Sequence, residues 1–200
     1  DSIRIAEALA KQFPQRGNIR SLGCRQQREL GMFLIRNNRR REALALLEQF
    51  AEQAEILAKI APPELPLLIE QAKTYNTLGA LYRRANRPAD ARSAHMKAVQ
   101  SYRSAIYLKP TVKEWRHELA CSLLDASRVS DPVIARELGK EALEIWDSLI
   151  WKHPGTIKYR TAFDYAASTL AKPLPEEQAA AIRSAREALA QEPQHPDLRH

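Results

Sequence analysis

Reactive side chains are few in this chain and lie far apart. His117 and Glu118 adjoin, a pairing that would suit general acid–base work, but neighbours on a helix point about 100° apart and cannot meet at one substrate atom. The other histidines, His95, His153, His195 and His200, are dispersed. All five are expected at the surface or in helix packing, with His153 and His195 each placed before a proline in a turn. Cys24 and Cys121 lack metal-ligand spacing. No Gly-rich phosphate loop, G-x-S-x-G, H-E-x-x-H or C-x-x-C occurs, so nothing marks the chain as an enzyme or as a holder of metal or cofactor.

Charge is more informative. Lys and Arg exceed Asp and Glu by 31 to 24, a net charge of +7. Residues 1–110 hold 19 basic against 10 acidic side chains, and residues 111–200 hold 12 against 14. The basic half favours an acidic partner, although a solvated basic surface is also common. Arg36, Arg39, Arg40 and Arg41 form the densest run. Arginines at a helix start oppose the macrodipole by a few tenths of a kcal/mol each, which a partner phosphate or carboxylate would offset; a hydrated turn is the plainer account.

The elements that must position these groups are helical. Ala, Leu, Glu, Arg, Lys and Gln dominate, only six Gly occur, and 44% hydrophobic with 28% charged residues fits a globular chain. No run reaches the roughly 18 apolar residues that span a bilayer. The chain opens on Asp1 inside a helical pattern, so a cytoplasmic piece of a longer protein is expected, with no membrane insertion.

An internal repeat sets the register. Ala43, Ala91 and Ala135 each precede a proline by 19 residues, at Pro62, Pro110 and Pro154, with Pro14 lying another 48 upstream. Leu30-Gly31 and Leu78-Gly79 recur at 48, as do Leu34 and Tyr82. Trp115-Arg116 and Tyr159-Arg160 recur at 44, as do Pro88 and Pro132. Caps and breakers predict nine helices, near 3–13, 20–37, 40–61, 65–86, 88–108, 112–129, 132–152, 156–171 and 175–191. Pro88, Pro132 and Pro175 suit the first helical turn. Cys24 and Cys121 then stand two units apart, about 20 Å, too far for a disulfide, and free thiols are expected.

Tyr75, Leu78, Gly79, Tyr82, Ala91 and Ala98 resemble the tetratricopeptide repeat. The long second helices, the string ALEIW and the turn His153-Pro154-Gly155 look like the variants of kinesin light chains and some bacterial signalling proteins. The resemblance implies an all-α, right-handed superhelical solenoid of antiparallel helix pairs filling 1–200 as one domain. Residues 1–14 would be a partial repeat, 20–62, 65–110 and 112–154 full pairs, and 156–193 a shorter last pair. Gly79 and Ala91 should let paired helices approach closely, with Tyr75, Leu78 and Tyr82 on one face.

Family resemblance also implies that the first helix of each pair lines a concave groove. Carried over residue by residue, its stripe is Arg25, Arg28, Met32 and Ile35, then Lys73, Asn76, Ala80 and Arg83. His117, Ala120, Leu124 and Ser127 follow, then Thr161, Asp164, Ser168 and Ala171. Lys73 and Asn76 resemble the pair with which some relatives grip a terminal carboxylate, but Ala80 and Ala120 replace its polar companions. Trp146 matches Tyr102 and Trp151 matches Tyr107 in the repeat, and all four are expected in the inter-repeat core.

The expected function is a protein-interaction scaffold for an acidic extended or helical segment, held by Arg25, Arg28, Lys73, Asn76 and Arg83, with Met32, Ile35 and Leu124 as apolar contacts. Nucleic-acid binding by the basic half, or homo-oligomerisation through the repeat ends, is the alternative.

Overall fold

The computed structural model describes residues 17–60 and 64–170, the side chains of 17–22, 53–54 and 56–60 excepted. The described residues form seven helices and no strand: α1 (Gly17–Arg36), α2 (Arg40–Ile60), α3 (Leu65–Arg84), α4 (Pro88–Leu108), α5 (Lys113–Ser127), α6 (Pro132–Lys152) and α7 (Ile157–Leu170). The bounds of α4 and α6 match the sequence expectation, α2 and α3 start where expected and end one and two residues early, and α1, α5 and α7 depart by one to three residues at each end. The helices expected at 3–13 and 175–191 lie outside the described residues.

Breakers act as their chemistry dictates. Pro66, Pro88 and Pro132 sit in the first turns of α3, α4 and α6, where a missing N–H leaves no intrahelical bond unmade. No side chain caps the start of α3, α4, α5 or α6. In the turns after α1 and α3, Asn38 and Asn86 adopt left-handed φ of 60° and 58°, which Asn tolerates better than most residues. They are 48 residues apart, so the turn repeats with the sequence.

Each helix packs on its sequence neighbours, and α1 also packs on α3 and α5 on α7. Odd helices therefore form one layer and even helices the other. Leu34, Leu47, Tyr75, Leu78, Leu81 and Ala98 make the core of the first two pairs. Ala72, Val99 and Tyr102 continue it into Leu123, Trp146, Leu149 and Tyr159. Each buried Leu contributes about 1.5–3 kcal/mol against exposure. Cys24 packs with Phe50 and Leu67, and both cysteines are free thiols, as expected.

Small residues set the spacing within pairs. A methyl built on Gly79 would lie 2.5 Å from His95 Nε2, and one on Gly31 2.8 Å from Leu47 Cδ2. Both opposing side chains are buried, so neither can swing aside.

Exchanging Gly79 for Ala should therefore destabilise the chain by about 1–3 kcal/mol through overpacking, exceeding the roughly 0.5–1 kcal/mol that Ala gains over Gly in a helix. Gly155→Ala, with nothing within 4 Å of the added methyl, is the control. Urea denaturation of the two variants checks the difference; equal midpoints would mean that the α3–α4 contact yields.

Candidate functional site

The predicted stripe divides when its surroundings are taken one helix at a time. On α1, Arg25 is exposed, while Arg28 leans across to α3 with only 16% of its side chain accessible. Its Nε–H donates to Glu70 Oε2 at 3.0 Å, and Lys73 Nζ donates to Glu70 Oε1 at 3.2 Å. A second Arg28 nitrogen donates to the exposed Glu29 at 2.8 Å. Glu70 is thus a buried carboxylate between two cations, which offset its desolvation. Met32 is half-buried, and Ile35 packs on the core of the first two pairs.

Asn76 is committed to the fold. Its amide donates to Ser122 Oγ of α5 at 2.8 Å, and that hydroxyl donates to the Glu118 carbonyl at 2.8 Å. The Asn76 carbonyl therefore accepts from His95 Nδ1–H of α4 at 3.3 Å. A buried polar chain thus links α4, α3 and α5. His95 Nε2 faces Gly79 and has no hydrogen-bond partner among the described residues. This imidazole is kept neutral mainly by burial, with Arg83 and Arg128 acting in the same direction and Asp125 opposing. Arg83 itself is exposed.

On α5 the expectation fails. Ala120, Leu124 and Ser127 are buried, Leu124 at 5% exposure within the core, so Leu124 offers a ligand no surface. The cause is that α5 is flanked by α4, α6 and α7 and needs a wide packed face. Accessible positions come one residue later, at Glu118, Cys121, Asp125 and Arg128, about 100° around the helix. The open face of α5 thus carries carboxylates. On α7, Thr161, Asp164 and Ser168 are exposed; Ala171 lies outside the described residues.

The imidazole and thiol of α5 are held within its packing. Trp146 Nε1–H donates to His117 Nδ1 at 3.0 Å, which puts the proton of the neutral ring on Nε2, 3.9 Å from Cys121 Sγ. Burial, Glu118 and Asp125 push the Cys121 thiol up to about 12, and burial with Glu70 does the same at Cys24. Neither is a thiolate near neutrality. His153 meets the Tyr159 ring at a tilt of 56°, with 6.4 Å between centroids. Among the described residues no His, Cys, Asp and Glu group could hold a metal, and no helix is long and apolar enough to cross a membrane.

Two features were not foreseen in the sequence. The first is a cleft of about 280 Å³ between α2 and α4, floored by Tyr75, Leu78 and Tyr82 and walled by Glu48, Glu52, Glu55, Asp90 and Lys97. Tyr75 and Tyr82 donate to Glu55 and Glu48 at 2.9 and 2.7 Å, and Arg87 pairs with both Glu48 and Asp90. Most of its charge is satisfied within the fold. The second corrects the aromatic expectation: Tyr102 and Trp146 are core residues, but Tyr107 and Trp151 are 87% and 82% exposed. Five residues turn a helix by about 140° beyond a full circle, so both members of such a pair cannot share one buried face.

Comparison with known proteins agrees with the repeat. Residues 71–106 match the family model described as tetratricopeptide repeat, the segment containing Tyr75, Leu78, Gly79, Tyr82, Ala91 and Ala98. Such repeats generally mediate contacts between proteins and are typically non-catalytic. No protein of curated function matches the chain. Among solved structures it is similar to BtubC (BKLC) from P. vanneervenii at 16% identity and a TM-score of 0.39, covering 100% of this chain and 91% of that one. It is also similar to the de novo designed helical repeat protein DHR64 at 16% identity and a TM-score of 0.35, covering 92% and 94%.

Buried His95 and half-buried His117 should make stability pH-dependent. His95 and His117 both titrate below their usual range, first because burial penalises the cation. The unfolded chain therefore binds more protons below about pH 6.5, and unfolding free energy should fall as pH drops from about 7 to 5. Denaturation midpoints across that window check this, and the slope should shrink in His95→Gln. A flat profile in the parent chain would mean that neither imidazole is held neutral.

Proposed function

We propose that the chain is a right-handed superhelical scaffold, one repeat domain without catalytic activity, that binds an acidic protein segment along the layer formed by α1 and α3. The observation that carries this is the charge on that face: Arg25, Arg28, Lys73 and Arg83 stand against Glu29 and Glu70 alone, and Arg25 and Arg83 have no acidic partner among the described residues. Arg28 and Lys73 hold the face together through Glu70, so the free cations on either side are the ones left for a ligand. Guanidinium groups suit carboxylates because they donate two parallel hydrogen bonds.

Packing supports the same face. Arg28 of α1 reaches Glu70 of α3 and the two helices pack together, whereas α2 and α4 face each other across the tyrosine-floored cleft and are bridged there by Lys97 and Glu55. Closer packing in the odd layer would bend the stack around it, as a concave surface requires. Met32 and Ile35, half-buried beside Arg28, add apolar contact. Carboxylates on the open face of α5 limit the acidic segment to the first two pairs. The match over residues 71–106 to a repeat that generally joins proteins favours a protein partner over nucleic acid.

Reversing Arg25 and Arg83 together to Glu should weaken binding of a labelled Asp/Glu-rich peptide by roughly tenfold or more, with helicity and melting temperature nearly unchanged, since exposed charges contribute at most about 1 kcal/mol. Reversing Arg39, Arg40 and Arg41 should chiefly slow association. Titration calorimetry and stopped-flow mixing read both. Full affinity in the Arg25/Arg83 variant, or duplex DNA bound more tightly than the peptide, would overturn the proposal.

A further inference from the structure

The two most exposed aromatic residues, Tyr107 and Trp151, lie on an edge that the proposed groove does not use. Tyr107 and Leu108 end α4, Trp151 ends α6 one residue before Lys152, and Ile157 opens α7. Their exposures are 87%, 52%, 82% and 80%. Tyr107 and Trp151 are repeat equivalents, 44 residues apart. Arg92 bonds to Asp131 at 3.2 Å and Arg103 to Glu141 at 2.6 Å, tying α4 to α6 in parallel. Their C-terminal ends therefore emerge on one edge, where antiparallel α5 and α7 begin.

The same edge concentrates positive charge. Residues 105–116 and 149–160 together hold six Lys or Arg and one acidic residue, although residues 111–200 as a whole are slightly acidic. Lys109, Lys113 and Lys152 form no ion pair among the described residues, and Lys158 lies over the Tyr159 ring at 5.2 Å. Exposed apolar side chains of this size, grouped at one edge, mark a contact surface.

We infer that this edge rests on an anionic lipid surface. Trp and Tyr seat their amphipathic rings at the headgroup level, Leu and Ile enter the acyl boundary, and flanking lysines are drawn to acidic headgroups. A lipid surface accepts protruding side chains without matching pockets. A second copy of the chain would set lysine against lysine, and a polynucleotide would leave Leu108 and Ile157 without a partner. The contact is peripheral, consistent with the absence of a spanning helix among the described residues.

Flotation of the full chain with vesicles tests this. The chain should float with phosphatidylcholine vesicles containing phosphatidylserine, not with phosphatidylcholine alone, and the emission of exposed Trp151 should shift to the blue on binding. Trp151→Ala combined with Tyr107→Ala should abolish flotation. Lys109→Gln and Lys152→Gln should weaken it about fivefold each. All four positions are exposed, so circular dichroism should show the fold retained. No flotation, flotation unaffected by these variants, or capture of single-stranded RNA or an acidic peptide by the same residues in preference to vesicles would overturn the inference.

Discussion

The approach of His95 onto Gly79 is the constraint from which the rest of the structure follows. Only a residue without Cβ leaves room for the imidazole between α3 and α4, and only a neutral imidazole can remain there without a counterion. Because His95 Nδ1–H bonds Asn76, and Asn76 bonds Ser122, the contact that closes one helix pair also fixes where the next begins. A repeat protein is stable through such nearest-neighbour interfaces. Here one polar chain couples the interface within a pair to the interface between pairs.

Commitment of polar groups to the fold decides which remain available for recognition. Glu70 binds Arg28 and Lys73, Glu48 accepts from Tyr82 and pairs with Arg87, and Asn76 is held at both ends of its amide. A side chain locked in this way would leave a buried group unpaired if it turned to a ligand. Arg25 and Arg83 incur no such cost. The separation gives the chain two chemically distinct surfaces: a basic layer on α1 and α3, and an aromatic, lysine-rich edge where α4 and α6 end.

Much of the architecture was legible in the sequence because the repeat is carried by residues with few alternatives. Prolines at first turns, glycines at close approaches and alanines at 48- and 44-residue intervals each have one mechanical role, and the structure uses Pro88, Pro132, Gly79 and Ala91 in those roles. The site was less legible, because repeat equivalence fixes a position along a helix and leaves its phase to the neighbours. Leu124 occupies the register of Ala80 but faces a core widened by α6 and α7. Tyr107 and Trp151 share the register of a buried pair only at a five-residue remove, and the 140° this implies was available from the sequence alone. Ion pairs such as Arg28–Glu70, separated by 42 residues, leave no mark in local spacing.

The protonation pattern of His95 exposes the central contact most directly. With Asn76 accepting at Nδ1 and Gly79 excluding any donor from Nε2, nitrogen-15 spectra of the imidazoles near pH 7 should show His95 protonated at Nδ1 alone. His117, whose Nδ1 accepts from Trp146, should show the opposite tautomer. A His95 ring protonated at Nε2, or carrying both protons at that pH, would contradict the account, because the seat on Gly79 holds neither.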